Sequence, residues 1–539
     1  MLFIFAFIIS LVVTMSLIPP IMKWADKIGA IDLPDARKVH SQAIPRVGGI
    51  AMVLGSVIAI VLLAELNQQV IAILAGFVVI WGFGLWDDRC ELNYKTKFLG
   101  QLLAVVVVVT WGDVVVRTFP FIDGHLPDYI AIPFTIFALV GITNAINLSD
   151  GLDGLAGGTS LITISMVALL AYDAGGYEVV LIAMAVAGSI LGFLRHNTHP
   201  ARLFMGDTGS QFLGFSLGVL VIVLSQSVNS AMSPLVPLML LGLPILDTFA
   251  VMGQRLYEKR SPFSPDKNHI HHKLLAIGLD QYEAVFIIYL LQSSFVALAY
   301  FMLYESDALL SLIYLAISAL VLGVFQLATV SSWQVNRQQL YNDSRLKQLI
   351  KYLRKTGLLV GVPTYALITL VPVLLLLPIV FTQQVNADMA VLAIILLLIL
   401  LAAIVSRSAH TMLLEKAVVY VVAVISVYHL TSIAESSTVL DVMNWLYLLL
   451  FISFVLRVRF SHEKTFQVTP LDYLVIILIV LVPHLPEMHI ENEFIGQMAI
   501  KLVVLFYACE AVMGLSASKW NLMRFGAIST LLLVAYRGF

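Results

Sequence analysis

Uninterrupted apolar runs of about 15–25 residues recur along the whole chain, and each is long enough to cross a hydrocarbon core of ~30 Å as a helix. No other feature limits the fold as strongly. Inside lipid the backbone must be satisfied within its own segment or within a closed barrel. Barrel strands alternate polar and apolar residues, whereas a stretch such as Ala390 to Val405 is apolar on every face. The expected fold class is therefore an all-α polytopic membrane protein. Only 12% of the 539 residues are Asp, Glu, Lys or Arg, against roughly 25% in soluble domains, which leaves no room for a large water-facing domain.

Reading the runs and their polar breaks gives eleven spans in the first 330 residues. They lie near 1–19, 47–64, 69–86, 98–116, 129–147, 155–172, 179–195, 209–226, 234–252, 284–302 and 308–328. The first lacks a basic leader and a small-residue cleavage site, so it reads as an uncleaved helix. Lys23, Lys27, Arg37, Lys38 and Arg46 share one side with Arg89, Lys95, Lys97, Arg195 and Arg202. Arg255, Lys259, Arg260, Lys267, Lys273 and the basic stretch 331–357 fall on that side too. The opposite loops carry Glu65, Asp123, Asp128, Asp173, Glu178, Glu305 and Asp307, with Arg117 as the exception. The positive-inside bias then puts the basic loops in the cytoplasm and the amino terminus outside. The stretch 331–357 reads as a linker, and about seven further runs follow in a second membrane module, 358–539. Cys90 and Cys509 are too few and too far apart for a disulfide framework.

The unusual polar residues gather on the basic side. Asp87 and Asp88 are adjacent carboxylates at a membrane edge, which require a cation, a proton or basic partners. Asn144, Asn147, Asp150 and Asp153 recur every three residues, so a helix end would stack them on roughly one face. Gly151, Gly154, Gly157 and Gly158 permit a tight turn and close approach to a ligand. Asp207, in Gly206-Asp207-Thr208-Gly209-Ser210, stands just before an apolar helix. It reads either as that helix's N-cap or as a ligand-binding acid beside free amides that suit a phosphate. The loop 253–283 adds Arg260, His269, His271 and His272, and the first basic loop adds Lys38 and His40. Three histidines in four residues can hold a metal, but beside Lys and Arg they read better as donors to phosphate oxygens. Acids such as Asp88 and Asp207, with a diphosphate, form the hard oxygen environment that Mg2+ prefers, with Mn2+ as a substitute. Acids for a metal and cations for phosphates are what phosphoryl transfer requires.

At these residues the sequence resembles the polyprenyl-phosphate N-acetylhexosamine-1-phosphate transferases, a glycosyltransferase family 4 type. The likeness runs through Arg37-Lys38-Val39-His40, Pro45 to Gly49, Asp87-Asp88, Asn144 to Gly154, Gly206 to Ser210 and His269 to His272, and covers about residues 1–330. It implies Mg2+ at Asp88 and Asp207, and Asp87 close to the acceptor phosphate, acting as its base. It also implies that Asn147, Asp150 and Asp153 meet the uridine nucleotide, while His269, His271 and His272 meet the diphosphate and sugar. Ile270 interrupts the histidines as in the UDP-GlcNAc branch. The resemblance thus implies transfer of N-acetylglucosamine 1-phosphate from UDP-GlcNAc to undecaprenyl phosphate in a bacterial cytoplasmic membrane. UMP would be released and a lipid-linked surface glycan such as O-antigen begun. Another UDP-N-acetylhexosamine, such as an N-acetylfucosamine or N-acetylquinovosamine donor, remains the alternative. Downstream glycan-assembly proteins are the expected protein partners, and no nucleic acid is. Arg46 departs from the branch, which more often has an apolar residue there, and the second module departs from most members. A transporter would place ionisable residues near helix midpoints, and the motif residues sit at one membrane edge instead.

Overall fold

The computed structural model describes residues 2–32, 43–261, 268–331, 334, 358–382, 385–406, 409–431, 438–460, 489–490, 493–515 and 520–538. These residues form two compact units, one up to residue 334 and one from residue 358 onward. Both are helical, and among the described residues eleven helices are long and apolar enough to cross a membrane. The protein is an all-α polytopic membrane protein.

Eight of those eleven helices lie in the first unit: α1 (Leu2–Ile28), α3 (Gln68–Cys90), α5 (Asp128–Ser149), α6 (Leu155–Asp173), α7 (Tyr177–Asn197), α8 (Gly206–Val223), α12 (Gln281–Phe301) and α13 (Asp307–Val330). Between them stand α2 (Gly48–Leu63) and α4 (Tyr94–Thr110), of 16 and 17 residues, and the short α9 (Val236–Leu240), α10 (Gly242–Tyr257) and α11 (Ile270–Ala276). Three of the expected spans are therefore shorter than full-length crossings. The most instructive is the run 234–252, expected as one helix and divided at Leu241. Pro244 has no N–H to offer the Leu240 carbonyl, so the ladder breaks there. That carbonyl instead accepts hydrogen bonds from Gln292 Nε2 at 2.8 Å and Thr163 Oγ1 at 3.1 Å. The fourth run, expected to reach 116, ends at Thr110, and Asp113 turns the chain with φ 51.

Burial identifies the centre of this unit. The apolar window of α6 is 89% buried and that of α8 83%, against 22% for α1 and for α13. Outer helices keep an apolar face for lipid, while α6, α7 and α8 pack on all sides, with Phe193, Phe212 and Phe215 wholly enclosed. The ends of α3, α5 and α7 and the starts of α4, α6 and α8 follow one another across short connections, so they share one end of the bundle. There Gly48 N–H donates to Phe204 O and Gly49 N–H to Met205 O, both at 2.9 Å, tying the start of α2 to the strand of chain that leads into α8. A two-residue antiparallel pairing of β1 (Ile31–Asp32) with β2 (Ile44–Pro45) closes the same end. Arg46, the departure from the branch, forms an ion pair with buried Asp32 and so braces this pairing.

In the second unit the described helices are Leu358–Phe381, Ala387–Ser406, Ala409–Thr431, Thr438–Phe460, Ile495–Met513 and Asn521–Gly538. Three of them, Leu358–Phe381, Ala387–Ser406 and Thr438–Val458, are long and apolar enough to cross. The run expected near 471–486 lies outside the described residues, and among the described residues neither the expected seven spans here nor eighteen in all are reached. The unit has its own core around Val371, Leu375, Val419, Ala423, Leu505, Ala508 and Leu531. Buried Glu415 receives Arg524 through Nε at 2.5 Å and Nη2 at 2.9 Å, a two-pronged pairing that balances an acid inside apolar surroundings.

Candidate functional site

α8 starts with Gly206 in the left-handed region, φ 68, where a side chain would be strained. A Cβ there would also lie 2.5 Å from both carboxylate oxygens of Asp88. The glycine thus lets the end of α3 meet the start of α8. Asp88 Oδ1 accepts the Asp207 amide at 2.7 Å, and Oδ2 accepts the Thr208 amide at 3.1 Å and Thr208 Oγ1 at 2.6 Å. A carboxylate from one helix therefore caps the amino terminus of another, where the free amides and the helix dipole favour negative charge. Two expectations change as a result. Asp207 is not the N-cap, a position held by Met205 without a side-chain bond. The amides expected to face a phosphate already have Asp88 as their acceptor.

Beside this cap, Lys97 at the end of the first turn of α4 puts its ammonium 2.6 Å from Asp87 Oδ2 and 3.1 Å from Asp207 Oδ2. Asp87 is buried, and its Oδ1 accepts the Leu92 amide at 2.7 Å. Asp207 Oδ1 accepts Asn147 Nδ2 at 2.7 Å, and the same amide group also reaches Ser210 Oγ at 2.7 Å. One turn earlier on α5, Asn144 Nδ2 donates to Gln101 Oε1 at 2.7 Å, and Gln101 Nε2 reaches Gln211 Oε1 at 3.3 Å. Asn144 and Asn147 do share a helix face, as their spacing suggests. The carboxylate that shares a cation with Asp207 is Asp87; Asp88, expected beside Asp207 at the metal, is turned instead to the amides of α8.

The period-three row ends with α5 at Ser149, so Asp150 and Asp153 fall in the turn before α6 rather than on the same face. The Asp150 amide donates to Asn147 O at 3.2 Å, while its carboxylate has no hydrogen-bond partner among the described residues. Burial pushes its carboxyl up to about 7, and the charges of Asp207, Asp153 and Asp88 act in the same direction. Asp153 turns away to His199 Nδ1 at 2.6 Å and the Ala201 amide at 3.1 Å. Asn197 fastens the same connection, accepting the Gly154 amide and donating to Leu203 O, both at 2.8 Å.

The histidines enter from the other side of this turn. His269 Nδ1 lies 2.8 Å from Asp247 Oδ2 on α10, and Asp247 Oδ1 accepts the Ile270 amide at 2.8 Å. His269 and His271 stack at 5.8 Å and 9°, and His271 and His272 lie 4.2 Å apart. His271 is packed on the turn itself: a Cβ on Gly151 would come 2.2 Å from its Nε2. Burial pushes this imidazole down to about 3, aided by His272, so it is a neutral ring. Arg260 is more exposed and meets Glu258 at 3.1 Å. Lys38 and His40 lie outside the described residues.

Sequence reading passed over Lys97, Gln101, Gln211, Asn197, His199 and Asp247. Lys97 and Gln101 are four residues apart on α4, a helical spacing that places them on one face, and this was the available signal. Asp247 lies inside the apolar run 234–252, where a carboxylate is itself unusual. Asn197 and His199 carried no local pattern.

Among the described residues, no three His, Cys, Asp or Glu side chains are grouped to hold a metal by themselves. The pair Asp87 and Asp207 converging on one ammonium nevertheless fits Mg2+, which is commonly held by one or two carboxylates together with substrate phosphates. The arrangement as a whole offers two acids around a cation, an unpaired acid, and a histidine row facing it across the 150–154 turn. It can hold a charged phosphate ester against cationic and neutral donors.

Residues 70–225 match the glycosyl transferase family 4 profile. The chain is 41% identical over 290 residues to the Bacillus subtilis protein described as a probable undecaprenyl-phosphate N-acetylglucosaminyl 1-phosphate transferase, covering 53% of this chain and 81% of that relative. It is 38% identical over 303 residues to the decaprenyl-phosphate N-acetylglucosaminephosphotransferase of Mycobacterium tuberculosis, covering 50% of this chain and 75% of the relative. It is 30% identical over 274 residues to the undecaprenyl-phosphate alpha-N-acetylglucosaminyl 1-phosphate transferase of Escherichia coli K12, covering 49% and 74%.

Proposed function

The chain belongs to the glycosyl transferase family 4 polyprenyl-phosphate N-acetylhexosamine-1-phosphate transferases, and from that we infer what its site does. It transfers the sugar 1-phosphate of a UDP-N-acetylhexosamine to a polyprenyl phosphate. We propose UDP-GlcNAc as donor and undecaprenyl phosphate as acceptor, with UMP as the released product. Three relatives named for N-acetylglucosaminyl phosphate transfer and the interrupted histidine segment 269–272 support this donor.

The observation that carries the reading is the Asp87–Lys97–Asp207 arrangement beside the 150–154 turn, on which His271 packs with His269 stacked behind it. An oxygen of the lipid phosphate attacks the β-phosphorus of the nucleotide sugar, and the bond from that phosphorus to the bridging oxygen breaks, so UMP leaves with the electron pair. Lys97 neutralises charge beside the reacting phosphates, and Asn147 keeps Asp207 aimed at it. Asp87 and Asp207 are each engaged at both oxygens, which suits holding charge in place and favours direct attack over an aspartyl-phosphate intermediate. We assign any Mg2+ to Asp87 and Asp207; when bound it supplies further neutralisation of the diphosphate. Asp150 and Asn147 suit the nucleotide end, with Asp153 acting through the loop 199–201. The site end of the bundle is assigned to the cytoplasm on the positive-inside bias, with the amino terminus outside. We propose that residues 358–539 form a separate module joined by the basic linker 331–357.

The test is UMP release by purified protein with Mg2+, undecaprenyl phosphate and a panel of UDP sugars. UDP-GlcNAc is expected to give the highest kcat/KM. Preference for a UDP-6-deoxy-N-acetylhexosamine would replace the donor while leaving the reaction class in place.

A further inference from the structure

Asp247 is buried on α10, the helix displaced by the Pro244 break, and lies far in sequence from the acids discussed above. Both of its oxygens point at the histidine segment. One accepts the Ile270 amide, the first amide of α11, and the other faces His269 Nδ1, each at 2.8 Å. His269 itself is 6% exposed, so this pair lies out of bulk water, where one well-formed bond orients a ring strongly. Because Nδ1 is turned to the carboxylate, Nδ1 carries the proton and Nε2 lies on the opposite edge of the ring. The stacking of His269 on His271, and of His271 on Gly151, carries that orientation to the turn bearing Asp150.

We propose that Asp247 is a positioning residue for sugar-phosphate transfer, fixing the His269 tautomer and anchoring the start of α11 so that His269 Nε2 faces the phosphoryl groups at the 150–154 turn. The inference rests on the function proposed above. A carboxylate that holds the far nitrogen of a working imidazole is a recurrent device; behind metal-bound histidines its loss commonly costs about 10–100-fold, and a similar scale is expected here. Asp247 touches no substrate, and its whole effect passes through His269. With Nδ1 engaged by Asp247, Nε2 is the ring nitrogen left to hydrogen-bond the phosphoryl groups. No change in the bonds made and broken at phosphorus is implied.

The experiment is a double-substitution cycle on the full-length enzyme, following kcat, donor KM and the thermal midpoint. Asp247→Asn keeps the shape but cannot accept from both partners at once. It is expected to lower kcat by about 10–100-fold while changing donor KM by less than about threefold. His269→Asn keeps a donor towards Asp247 but removes Nε2, and is expected to lower kcat with an unchanged midpoint. In the His269→Asn background, adding Asp247→Asn is expected to change kcat by less than about twofold. Multiplication of the two effects would overturn the inference, because Asp247 would then act independently of His269. Should Asp247→Asn fail to fold, Asp247→Glu takes its place in the same cycle, since it keeps the charge but moves it away from His269 Nδ1 and the Ile270 amide: an unchanged kcat overturns the proposal, and a lowered kcat at an unchanged midpoint that disappears in the His269→Asn background upholds it. Absence of UMP release from the unsubstituted enzyme would remove the functional reading and this inference together, whereas turnover with multiplicative effects removes only the inference.

Discussion

Without the Lys97 ammonium, the carboxylates of Asp87 and Asp207 face a common space with no counter-charge between them. Lys97→Met is therefore expected to lower kcat by about 10²-fold or more, on the scale of losing one preorganised electrostatic contact in a transition state. Asp88 and Asp207 should separate by their partners. Asp207→Asn can keep its bond from Asn147, so turnover is expected to fall about 10²-fold at a nearly unchanged thermal midpoint. Asp88→Asn cannot accept both amides of α8 and is expected to lose about 1–2 kcal/mol of stability along with activity. An unchanged midpoint in Asp88→Asn would count against the capping role. Asp150 has a pH signature. Its folded carboxyl is raised from 3.8 to about 7, so between those values the folded state holds the proton more tightly than the unfolded chain does. The sign follows: through this group, the ligand-free protein loses stability as pH rises from about 4 to about 7. Asp150→Asn should flatten that slope and raise the thermal midpoint at pH 8, as checked by melting curves in detergent; an unchanged slope would contradict the raised carboxyl. At this scale the acids were legible because carboxylates are conspicuous at a membrane edge. Their pairing was not, since Lys97 looked like one more loop charge and Asp88's true partners are backbone amides, which no sequence displays.

Helix existence was readable from apolar run length, and helix interruption was not. The run 234–252 satisfies every hydropathy criterion for one span, yet Pro244 divides it, and the freed Leu240 carbonyl is met by Thr163 on α6 and Gln292 on α12. Those acceptor–donor meetings are tertiary, so a local pattern carries no trace of them. The break has a consequence for the site, since α10 runs on to Tyr257 and carries Asp247 to the histidine segment. The start of α8 was easier to read, because Asp207 stands just before an apolar run; the need for a glycine at 206 was not, since it arises from the approach of Asp88. Gly206→Ala places a side chain at φ 68 and against the Asp88 carboxylate. It is expected to destabilise the protein by more than about 1 kcal/mol and to reduce activity with it, as the start of α8 shifts from Asp87 and Lys97. A stable, fully active Gly206→Ala would show that the α3–α8 junction does not set the site geometry.

For the whole molecule, every site residue described lies in the first unit, and the second has its own apolar core and its own internal ion pairs. A chain ending after the basic linker near Lys355 separates whole helices without baring backbone in lipid. It is expected to insert and retain UMP release per folded molecule, and loss of activity in a well-folded truncation would place part of the site in residues 358–539. Which bond is broken is the claim on which everything else depends. The direct measurement supplies UDP-GlcNAc labelled at the β-phosphate, with undecaprenyl phosphate and Mg2+, and follows the label between the lipid and aqueous phases. The expected result is label in the lipid, as a diphosphate-linked sugar, with unlabelled UMP in water in equal amount. Label retained in water as UDP, with the sugar alone on the lipid, would contradict sugar-phosphate transfer.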